Sequence, residues 1–317
     1  MEKILISDGI EKEAAEELRK GFEIIIKEVS PDELKADIGN YHALIVRSRS
    51  KVTKEVIEQG KSLRVIGRAG AGVDNIDVPA ATAKGIMVVN APTANTVSVA
   101  ELTIGLMLAL ARRIPAADSS TRSGKWEKKA FMGTELDGKT LGLVGSGKIG
   151  TDVAKKAQAF RMKVIAFDPY LKKEAAHAAG ITLVDSLDGL LAESDIISIH
   201  AAMTKETRGM IGKAQIEKMK KSAFIVNCAR GGIADEKALY EALKEGRIAG
   251  AALDVFEKEP PEGSPLLSLT NVVYTPHIGA STREAQKRAG TIIADQVRKA
   301  LKGEKPEFMV NPDAWKK

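Results

Sequence analysis

Arg230, Glu259 and His277 are residue types that can do chemistry, and each follows an apolar, strand-like run. They occur in the segments Ile225–Gly232, Ala252–Pro260 and Thr275–Ala280. Histidine can take or return a hydroxyl proton because its pKa lies near neutrality, and arginine's planar fork matches a carboxylate. A histidine and an arginine, together with a carboxylate that holds the tautomer of the imidazole, would suit the oxidation of a 2-hydroxy acid. Each also has an ordinary alternative, as a surface cation, a solvated acid or a turn residue, and the sequence alone does not show that they converge.

A glycine-rich segment in the middle of the chain indicates a dinucleotide site. The apolar run Leu141–Val144 leads into Gly145-Ser146-Gly147-Lys148-Ile149-Gly150, a GxGxxG pattern followed by a helical stretch. Such glycines allow a tight turn, a close approach of backbone to pyrophosphate and close packing of helix on strand. Asp168 ends the next strand-like run, at about the 20-residue distance expected for a ribose-binding carboxylate. The pattern predicts NAD rather than NADP, although Lys172 and Lys173 lie nearby; the alternative is a structural turn with a surface aspartate.

Alternating strand-like and helical segments must position these residues, and they predict an α/β protein with doubly wound parallel sheets. In the first hundred residues the strand candidates are Ile4–Ile6, Ile24–Ile26, Ala43–Val46 and Arg64–Ile66, with helices at Glu11–Arg19 and Thr53–Gln59. From Lys139 the alternation of strand-like and helical segments begins again. The strand candidates there are Thr140–Val144, Lys163–Phe167, Ile196–Ile199, Phe224–Val226, Ala249–Leu253 and Val272–Tyr274.

Two long helices complete the prediction. Thr96–Ala111 is apolar on nearly all sides, so we expect it to be buried, either in a core or in a subunit interface. The last helix is predicted from about Ser281 to Leu301.

Composition limits the function classes. The 317 residues suggest two domains, and no apolar run reaches the roughly 18 residues that would predict a membrane span. A signal peptide is not predicted, so we expect a cytoplasmic protein. One cysteine and four scattered histidines predict no metal site. The net charge of +6 comes from lysines and arginines interleaved with acids, which predicts a solvated surface rather than a nucleic-acid partner and would suit an anionic substrate.

The segments NCARGGIADEKAL, GAALDVFEKEPP and TPHIGASTREAQ resemble the catalytic signatures of the D-isomer-specific 2-hydroxyacid dehydrogenases. Upstream, RSRSKVT, GRAGAGVDNIDVPAAT and GKWEKKAFMGTELDGKTLG are similar to the phosphoglycerate-oxidising branch of that family. The resemblance runs from about residue 40 to 290. It includes the loop around Trp126, which is more specific than the nucleotide fold alone.

The resemblance implies a NAD-binding Rossmann domain at residues 96–284, inserted into a flavodoxin-like substrate-binding domain made of 1–95 and 285–317. The substrate would bind in a cleft that closes between them. It also implies a homodimer through the NAD-binding domains, with the Thr96–Ala111 helix and the Trp126 loop buried.

By motif position, the resemblance makes His277 the acid/base, Glu259 its partner and Arg230 the clamp for carboxylate and ketone. The residues facing the small anionic acid would be Arg47, Ser48, Gly70, Ala71, Gly72 and Asn95, together with Arg230. Besides Gly145, Gly147 and Gly150, the cofactor contacts would be Ala71, Lys148, Ile149, Asp168, Ala201, Cys228, Ala229, Arg230, Asp254, His277 and Gly279. Cys228 would line the pocket and not act as a nucleophile, since no basic neighbour is evident.

Two features depart from the family pattern. His200-Ala201-Ala202-Met203-Thr204 replaces the usual His-x-Pro-Leu-Thr, which leaves the geometry of that cofactor loop open. The chain ends at 317, so we expect no regulatory domain and no serine feedback through one.

Three functions remain open. The first is oxidation of 3-phosphoglycerate to 3-phosphohydroxypyruvate in serine biosynthesis, for which Arg47, Arg49 and Lys51 are candidate phosphate cations. The second is a glyoxylate/hydroxypyruvate reductase. The third is a NAD-sensing, corepressor-like binding protein, against which the intact Arg230, Glu259 and His277 argue.

Overall fold

The computed structural model describes residues 1–315, which form two compact units. The first unit comprises Met1–Asn95 together with the chain from Ala280, and the second comprises Thr96–Gly279. The break after residue 279 falls five residues before the predicted one, because Thr282 caps the last helix through the Ala285 N–H and so belongs with it. The last two residues of the predicted segment 285–317 lie outside the described residues.

The strands, in chain order, are β1 Lys3–Ile6, β2 Glu23–Ile26, β3 Ala43–Val46, β4 Val65–Arg68, β5 Met87–Asn90, β6 Thr140–Val144, β7 Lys163–Phe167, β8 Thr182–Leu183, β9 Ile196–Ile199, β10 Phe224–Asn227, β11 Gly250–Leu253 and β12 Val272–Tyr274. The α-helices are α1 Lys12–Arg19, α2 Pro31–Asp37, α3 Lys54–Gln59, α4 Val78–Ala83, α5 Thr96–Ala111, α6 Ile114–Arg122, α7 Lys148–Ala159, α8 Lys173–Ala178, α9 Leu187–Glu193, α10 Lys213–Ile216, α11 Glu236–Lys244 and α12 Arg283–Leu301.

The first unit is built on a five-stranded parallel sheet in the order β2-β1-β3-β4-β5. This order, 2-1-3-4-5, is that of flavodoxin-like folds. All four residues of β3 are buried, because helices cover both faces of a parallel sheet and leave no polar face. Leu5, Leu44 and Ile66 are among the fully buried side chains that fill one of its two cores.

The late helix α12 packs against α1, β4 and β5 of the first sheet. Gly67 makes that approach possible, since a Cβ atom there would lie 2.8 Å from Val297 Cγ2. Beyond the helix, buried Asn311 accepts from the Val88 N–H and donates to the Ile86 carbonyl at β5. The end of the chain is therefore held to its beginning by packing and by hydrogen bonds.

The second unit is built on a seven-stranded parallel sheet in the order β12-β11-β10-β9-β6-β7-β8. The order reverses between β6 and β9, which both lie at the centre of the sheet. In such sheets ligands bind outside the carboxyl ends of the strands at that reversal. The glycine-rich segment after β6 lies at this point.

Helix α5 has the predicted bounds, and within this chain it is buried or half-buried except along one stripe, for which burial in a subunit interface stays a prediction. Val97, Glu101 and Gly105 are exposed at four-residue spacing, which places them on one face of the helix. Glu101 carries a charge that is expensive to bury without a partner. The opposite face packs on α7 and on strands of the second sheet.

Two strands were missed by the sequence prediction. β5 has an apolar run, Met87-Val88-Val89, and could have been predicted from it. β8 has two residues, Thr182 and Leu183, and pairs only with β7. A two-residue strand is too short to show a periodicity in the sequence. It is defined only by its pairing with β7.

Candidate active site

His277 and Glu259 form a direct pair in the second unit. The imidazole Nδ1 lies 2.7 Å from Glu259 Oε2, and the other carboxylate oxygen accepts the Phe256 N–H at 3.2 Å. The side chains are 48% and 38% exposed, so solvent or a ligand can reach both. With Nδ1 held by the carboxylate, Nε2 is the ring nitrogen left to exchange a proton with a ligand.

Buried Asp254, at the end of β11, holds the segment that carries His277. One carboxylate oxygen accepts from the Thr275 hydroxyl at 2.6 Å and the Ile278 N–H at 2.8 Å, and the other accepts from the Gly279 N–H at 2.9 Å. Its carbonyl also accepts the His277 N–H. These bonds fix the backbone of His277 at φ 53°, which is unusual for a side chain of this kind. Asp254 thus positions the backbone of His277. The predicted contact of Asp254 with the cofactor stays a prediction.

Arg230 follows β10 in a turn that packs tightly against the segment leading to Glu259. Asn227 organises this turn by donating to the Arg230 carbonyl at 2.8 Å and accepting the Ala229 N–H at 3.0 Å. Gly231 is required for the packing, because a Cβ atom there would lie 1.9 Å from the Phe256 carbonyl carbon. The turn bearing Arg230 and the turn bearing Glu259 are therefore in van der Waals contact.

The glycine-rich loop has the geometry of a phosphate-binding turn. Gly145 has φ 84°, and a Cβ at Gly150 would lie 2.7 Å from the Gly145 carbonyl oxygen. Apart from Gly147 itself and its two chain neighbours, no atom of residues 1–315 lies within 4 Å of a Cβ built at exposed Gly147, so the space beside it is open to a ligand. The loop runs into the N-terminus of α7, whose first N–H groups favour an anion.

The residues of this loop fit a dinucleotide. Ser146 is buried, and its hydroxyl has no hydrogen-bond partner within residues 1–315, as expected of a group that awaits a ligand. Asp168 accepts the Ser146 N–H at 2.7 Å on one oxygen and the Tyr170 N–H at 2.9 Å on the other. Each carboxylate oxygen keeps further acceptor capacity, so Asp168 can both hold the loop and bind ribose hydroxyls.

The other predicted cofactor residues of this unit lie at the carboxyl edge of its sheet. Ala201 follows β9 and lies close to Gly145, since a Cβ built on Gly145 would lie 2.9 Å from the Ala201 nitrogen. The same edge carries Lys148 and Ile149 at the start of α7, Cys228 and Ala229 after β10, and Gly279. Burial raises the pKa of the Cys228 thiol to about 12, so this cysteine is no thiolate nucleophile at neutral pH.

His200, at the end of β9, is a buried histidine that the sequence analysis left without a role. Its Nε2 lies 2.8 Å from the Ser198 hydroxyl, while Nδ1 is buried without a partner in the described part of the chain. Burial lowers the pKa of the ring to about 4, so it is neutral at physiological pH.

In the first unit, Arg47 and Ser48 lie on the loop after β3. The Arg47 guanidinium makes no hydrogen bond or ion pair to any of residues 1–315, and the side chain is half-buried. Arg49 is instead fully engaged: it donates to the Ser7 carbonyl at 2.7 Å and pairs with Glu28 at 2.6 Å and Asp8 at 3.4 Å. Of these two predicted phosphate cations, Arg47 keeps its charge available and Arg49 is committed to the fold.

Gly70, Ala71 and Gly72 form the loop after β4. The Asn90 amide donates to the Ala71 carbonyl at 2.6 Å, and the Ala91 N–H donates to the Gly70 carbonyl at 2.9 Å. The predicted substrate residue Asn95 ends this unit, and its buried Oδ1 has no partner among the residues that the structure describes. The loop is thus fixed from β5, with backbone groups of Gly70–Gly72 at the sheet edge.

Sequence reasoning missed four residues of this edge: Asp8, Arg68, Asn75 and Asn90. Asp8 and Asn75 hold the loop after β3, and the Arg68 guanidinium lies where a Cβ on Gly70 would be. A usable signal was present for three of them. Arg68 and Asn90 end strands and Asp8 follows one, and polar residues at such positions face the ligand edge of a parallel sheet.

Within residues 1–315, no group of three or more histidine, cysteine, aspartate or glutamate side chains is arranged to hold a metal ion. In the same part of the chain, no helix is both long and apolar enough to cross a membrane.

The fold and the site are those of a doubly wound α/β protein with a glycine-rich, dinucleotide-type loop. Residues 104–279 match the family model of the D-isomer specific 2-hydroxyacid dehydrogenase, NAD binding domain. The chain therefore belongs to the D-isomer specific 2-hydroxyacid dehydrogenase family.

Individual relatives agree with this assignment. The chain is 55% identical to D-3-phosphoglycerate dehydrogenase of Methanocaldococcus jannaschii over 312 residues, covering 98% of this chain and 60% of that protein. It is also 55% identical to D-3-phosphoglycerate dehydrogenase of Archaeoglobus fulgidus over 304 residues, covering 95% and 58%. It thus spans about three fifths of the length of these relatives. The solved structure of a glyoxylate reductase from Paecilomyes thermophila superposes with a TM-score of 0.90 at 33% identity, covering 98% of each chain.

Proposed function

We propose that this protein transfers hydride between NAD and a D-2-hydroxy acid, and that its substrate is 3-phosphoglycerate, oxidised to 3-phosphohydroxypyruvate for serine biosynthesis. The His277–Glu259 pair, with Nδ1 and Oε2 2.7 Å apart, carries the proposal because it leaves Nε2 to exchange the proton of the reacting hydroxyl. The substrate assignment is supported by relatives that bear the name D-3-phosphoglycerate dehydrogenase.

In this mechanism His277 Nε2 accepts the proton of the C2 hydroxyl as the carbonyl forms, and it returns that proton in the reverse reaction. The nicotinamide of bound NAD supplies the hydride acceptor. Glu259 keeps the imidazole in one tautomer and stabilises its charged form, in the same way that a carboxylate orients the histidine of a catalytic triad. The Phe256 N–H, bonded to Glu259, fixes the carboxylate that does this.

Arg230 holds the substrate carboxylate and polarises the forming ketone. Its planar fork can give two parallel hydrogen bonds, which set the orientation of the acid as well as its affinity. The contact between Gly231 and the Phe256–Glu257 backbone keeps Arg230 in register with the His277–Glu259 pair.

NAD would be held by the loop from Gly145 to Gly150, with its pyrophosphate at the N-terminus of α7. Asp168 would accept from the ribose hydroxyls and repel a 2′-phosphate, which favours NAD over NADP.

A glyoxylate or hydroxypyruvate reductase is the second candidate, and the likeness to a solved glyoxylate reductase favours it. The two candidates share fold, cofactor and catalytic residues and differ in phosphate recognition. The available guanidinium of Arg47 favours the phosphorylated acid, because an unpaired cation at a ligand edge attracts a dianion.

The deciding experiment is a spectrophotometric assay of NADH formation from NAD and 3-phosphoglycerate, run beside NADH oxidation by hydroxypyruvate and by glyoxylate. We expect turnover of the phosphorylated acid at lower KM than either of the others. Turnover of hydroxypyruvate or glyoxylate alone would move the protein to the reductase branch and reject the serine-pathway proposal.

We also propose a homodimer through the second unit. Ile114, Trp126 and Met132 are 52%, 77% and 80% exposed, and Met132 lines a cavity of about 360 Å³ beside the end of α5. Large exposed apolar side chains are typical of an association surface. The proposed location is the cytoplasm, where a single buried thiol without a disulfide suits the reducing conditions.

Light scattering at micromolar concentration tests the homodimer. The wild type should have the mass of two chains, and Trp126→Glu should shift it towards one. Tyr170→Glu is the matched control, because Tyr170 is an aromatic residue of the same unit and is 94% exposed. A wild type with the mass of one chain would reject the dimer.

A further inference from the structure

Asp8 is a buried carboxylate at the carboxyl end of β1, and its contacts all serve the loop after β3. Its side chain is 3% exposed. Oδ2 accepts the Arg47 N–H at 2.7 Å and the Ser50 N–H at 3.0 Å, and Oδ1 accepts the Ser50 hydroxyl at 2.5 Å. Oδ2 therefore binds both ends of one four-residue turn, and Oδ1 adds a second bond to the Ser50 end.

The same turn is held from its other side by Asn75. The Asn75 amide donates to the Arg47 carbonyl at 2.8 Å and to the Ser50 carbonyl at 2.6 Å. Asp8 thus takes the two N–H groups of Arg47 and Ser50 while Asn75 takes their two carbonyls. Four hydrogen bonds therefore fix the backbone of the turn, two at Arg47 and two at Ser50, and the Arg47 guanidinium stays without a partner in the described chain.

The charges within the turn from Arg47 to Ser50 leave Arg47 as the available arginine. A buried carboxylate beside an anion site would repel the ligand if its charge were unbalanced. Arg49 Nε lies 3.4 Å from Asp8 Oδ1 and so offsets that charge, while its Nη1 is bound by Glu28. The remaining positive charge of the turn is on Arg47.

Resting on the proposed function, we propose that Asp8 is a positioning residue for substrate binding: it fixes the turn from Arg47 to Ser50 so that the Arg47 guanidinium receives an anionic group of the acid. Asp8 touches neither substrate nor cofactor and acts through Arg47. Burial tends to raise the pKa of Asp8, but the Ser50 hydroxyl, the Ser50 and Arg47 N–H groups and Arg49 hold it below its usual value. The Asp8 carboxylate is therefore ionised in the folded protein at neutral pH.

The first test is Asp8→Asn, which keeps the volume but replaces one acceptor oxygen by an NH₂ group facing other donors. We expect KM for the acid to rise about 10- to 100-fold, the range for losing a hydrogen bond to a charged group. kcat should stay within about threefold, and KM for NAD should not change. A merely structural defect would instead lower thermal stability and change all three parameters together.

Asp37→Asn is the matched control, because Asp37 lies in the same unit and its carboxylate pairs on the surface with Lys27. It should leave all three parameters unchanged. If Asp8→Asn fails to fold, Ser50→Ala removes one of the same hydrogen bonds more gently. It should raise KM for the acid roughly threefold to tenfold.

A double-mutant cycle with Arg47→Ala shows whether Asp8 acts through Arg47. We expect Asp8→Asn to add less than about twofold to KM in the Arg47→Ala background, since coupled residues are not additive. Two independent increases that multiply would overturn the inference, as would an unchanged KM in Asp8→Asn.

The cycle is run on whichever acid the wild type turns over with the lowest KM, so failure of the inference is distinct from failure of the proposed function. An active wild type whose KM does not respond to Asp8→Asn rejects the positioning role alone. A wild type that turns over no 2-hydroxy or 2-keto acid rejects both.

Discussion

The carboxyl edges of the two sheets are built in different ways. At the edge of the second sheet the reactive side chains bind one another, as His277 does Glu259. At the edge of the first sheet the charged group proposed to meet the substrate, Arg47, binds nothing among residues 1–315, while its neighbours hold its backbone. On the proposed function, the edge of the second sheet prepares a pair for proton transfer, and the edge of the first sheet fixes the backbone position of the Arg47 guanidinium.

Both edges nevertheless use the same device, a buried aspartate after a strand that accepts several donors from a loop. Asp254 is 1% exposed and holds the segment from Thr275 to Gly279, and Asp8 holds the turn from Arg47 to Ser50. A carboxylate suits this role because it can accept at several positions and its hydrogen bonds are charge-assisted. The side chains proposed to meet the substrate therefore differ between the two edges, whereas both edges fix them by a buried aspartate.

The largest effect should come from the paired edge. His277→Ala removes the proton acceptor, so kcat should fall about 100- to 10,000-fold, the usual range for a general acid–base group. Steady-state assay with the preferred acid measures it. His177→Ala, which removes a surface histidine of the same unit, is the control and should leave kcat unchanged. Turnover of His277→Ala within twofold of wild type would reject the assignment of His277 as the base.

The buried His200 at the edge of the second sheet and the buried Asp8 at the edge of the first should lose their contributions to the free energy of unfolding at different pH. The pKa of His200 is lowered from 6.5 to about 4 by burial, so the unfolded chain binds this proton more readily. The contribution of neutral His200 to the free energy of unfolding is fully present above pH 6.5. It is lost as the pH falls towards 4, by about 2 kcal/mol between pH 7 and pH 5. Asp8, with its pKa lowered from 3.8, contributes stability that is lost only below that pH.

Urea unfolding of wild type and His200→Gln at pH 7 and pH 5 checks this separation. Glutamine can keep the bond to Ser198 without titrating, so the variant should lack the loss of about 2 kcal/mol seen in wild type. An equal pH dependence in both proteins would contradict the assignment to His200.

The smallest effect is expected at Cys228. Burial holds its pKa near 12, so the thiol takes no part in proton or group transfer. Cys228→Ala should change kcat less than about twofold, and thiol-alkylating reagents should inactivate the native protein slowly. Rapid inactivation by such a reagent at neutral pH would show a reactive thiol and would reverse this conclusion.

The second unit could be predicted largely from the sequence, because its strands and the residues proposed to act on the substrate are residue types at recognisable spacings. The strand before Gly145 and the runs before Arg230 and His277 were predicted almost to the residue, since buried parallel strands are continuous apolar runs. What the sequence could not supply was the convergence of Glu259 and His277, which depends on the register of β11 and β12.

The edge of the first unit was less predictable for a physical reason. Arg47, Arg49 and Lys51 are alike in the sequence, and only the folded positions of Asp8 and Glu28 show which arginine is already paired. Asn75 was invisible because its function is to bind backbone carbonyls, and backbone groups leave no pattern in a sequence.

The left-handed backbone at His277 has a practical consequence for trapping complexes. Asparagine tolerates positive φ better than most residues and can imitate Nδ1 of an imidazole, so His277→Asn should keep the segment from Thr275 to Gly279 in place. It offers no group to take the hydroxyl proton. On the proposed function, His277→Asn should therefore bind acid and dinucleotide without converting them, which would allow the unreacted complex to be crystallised.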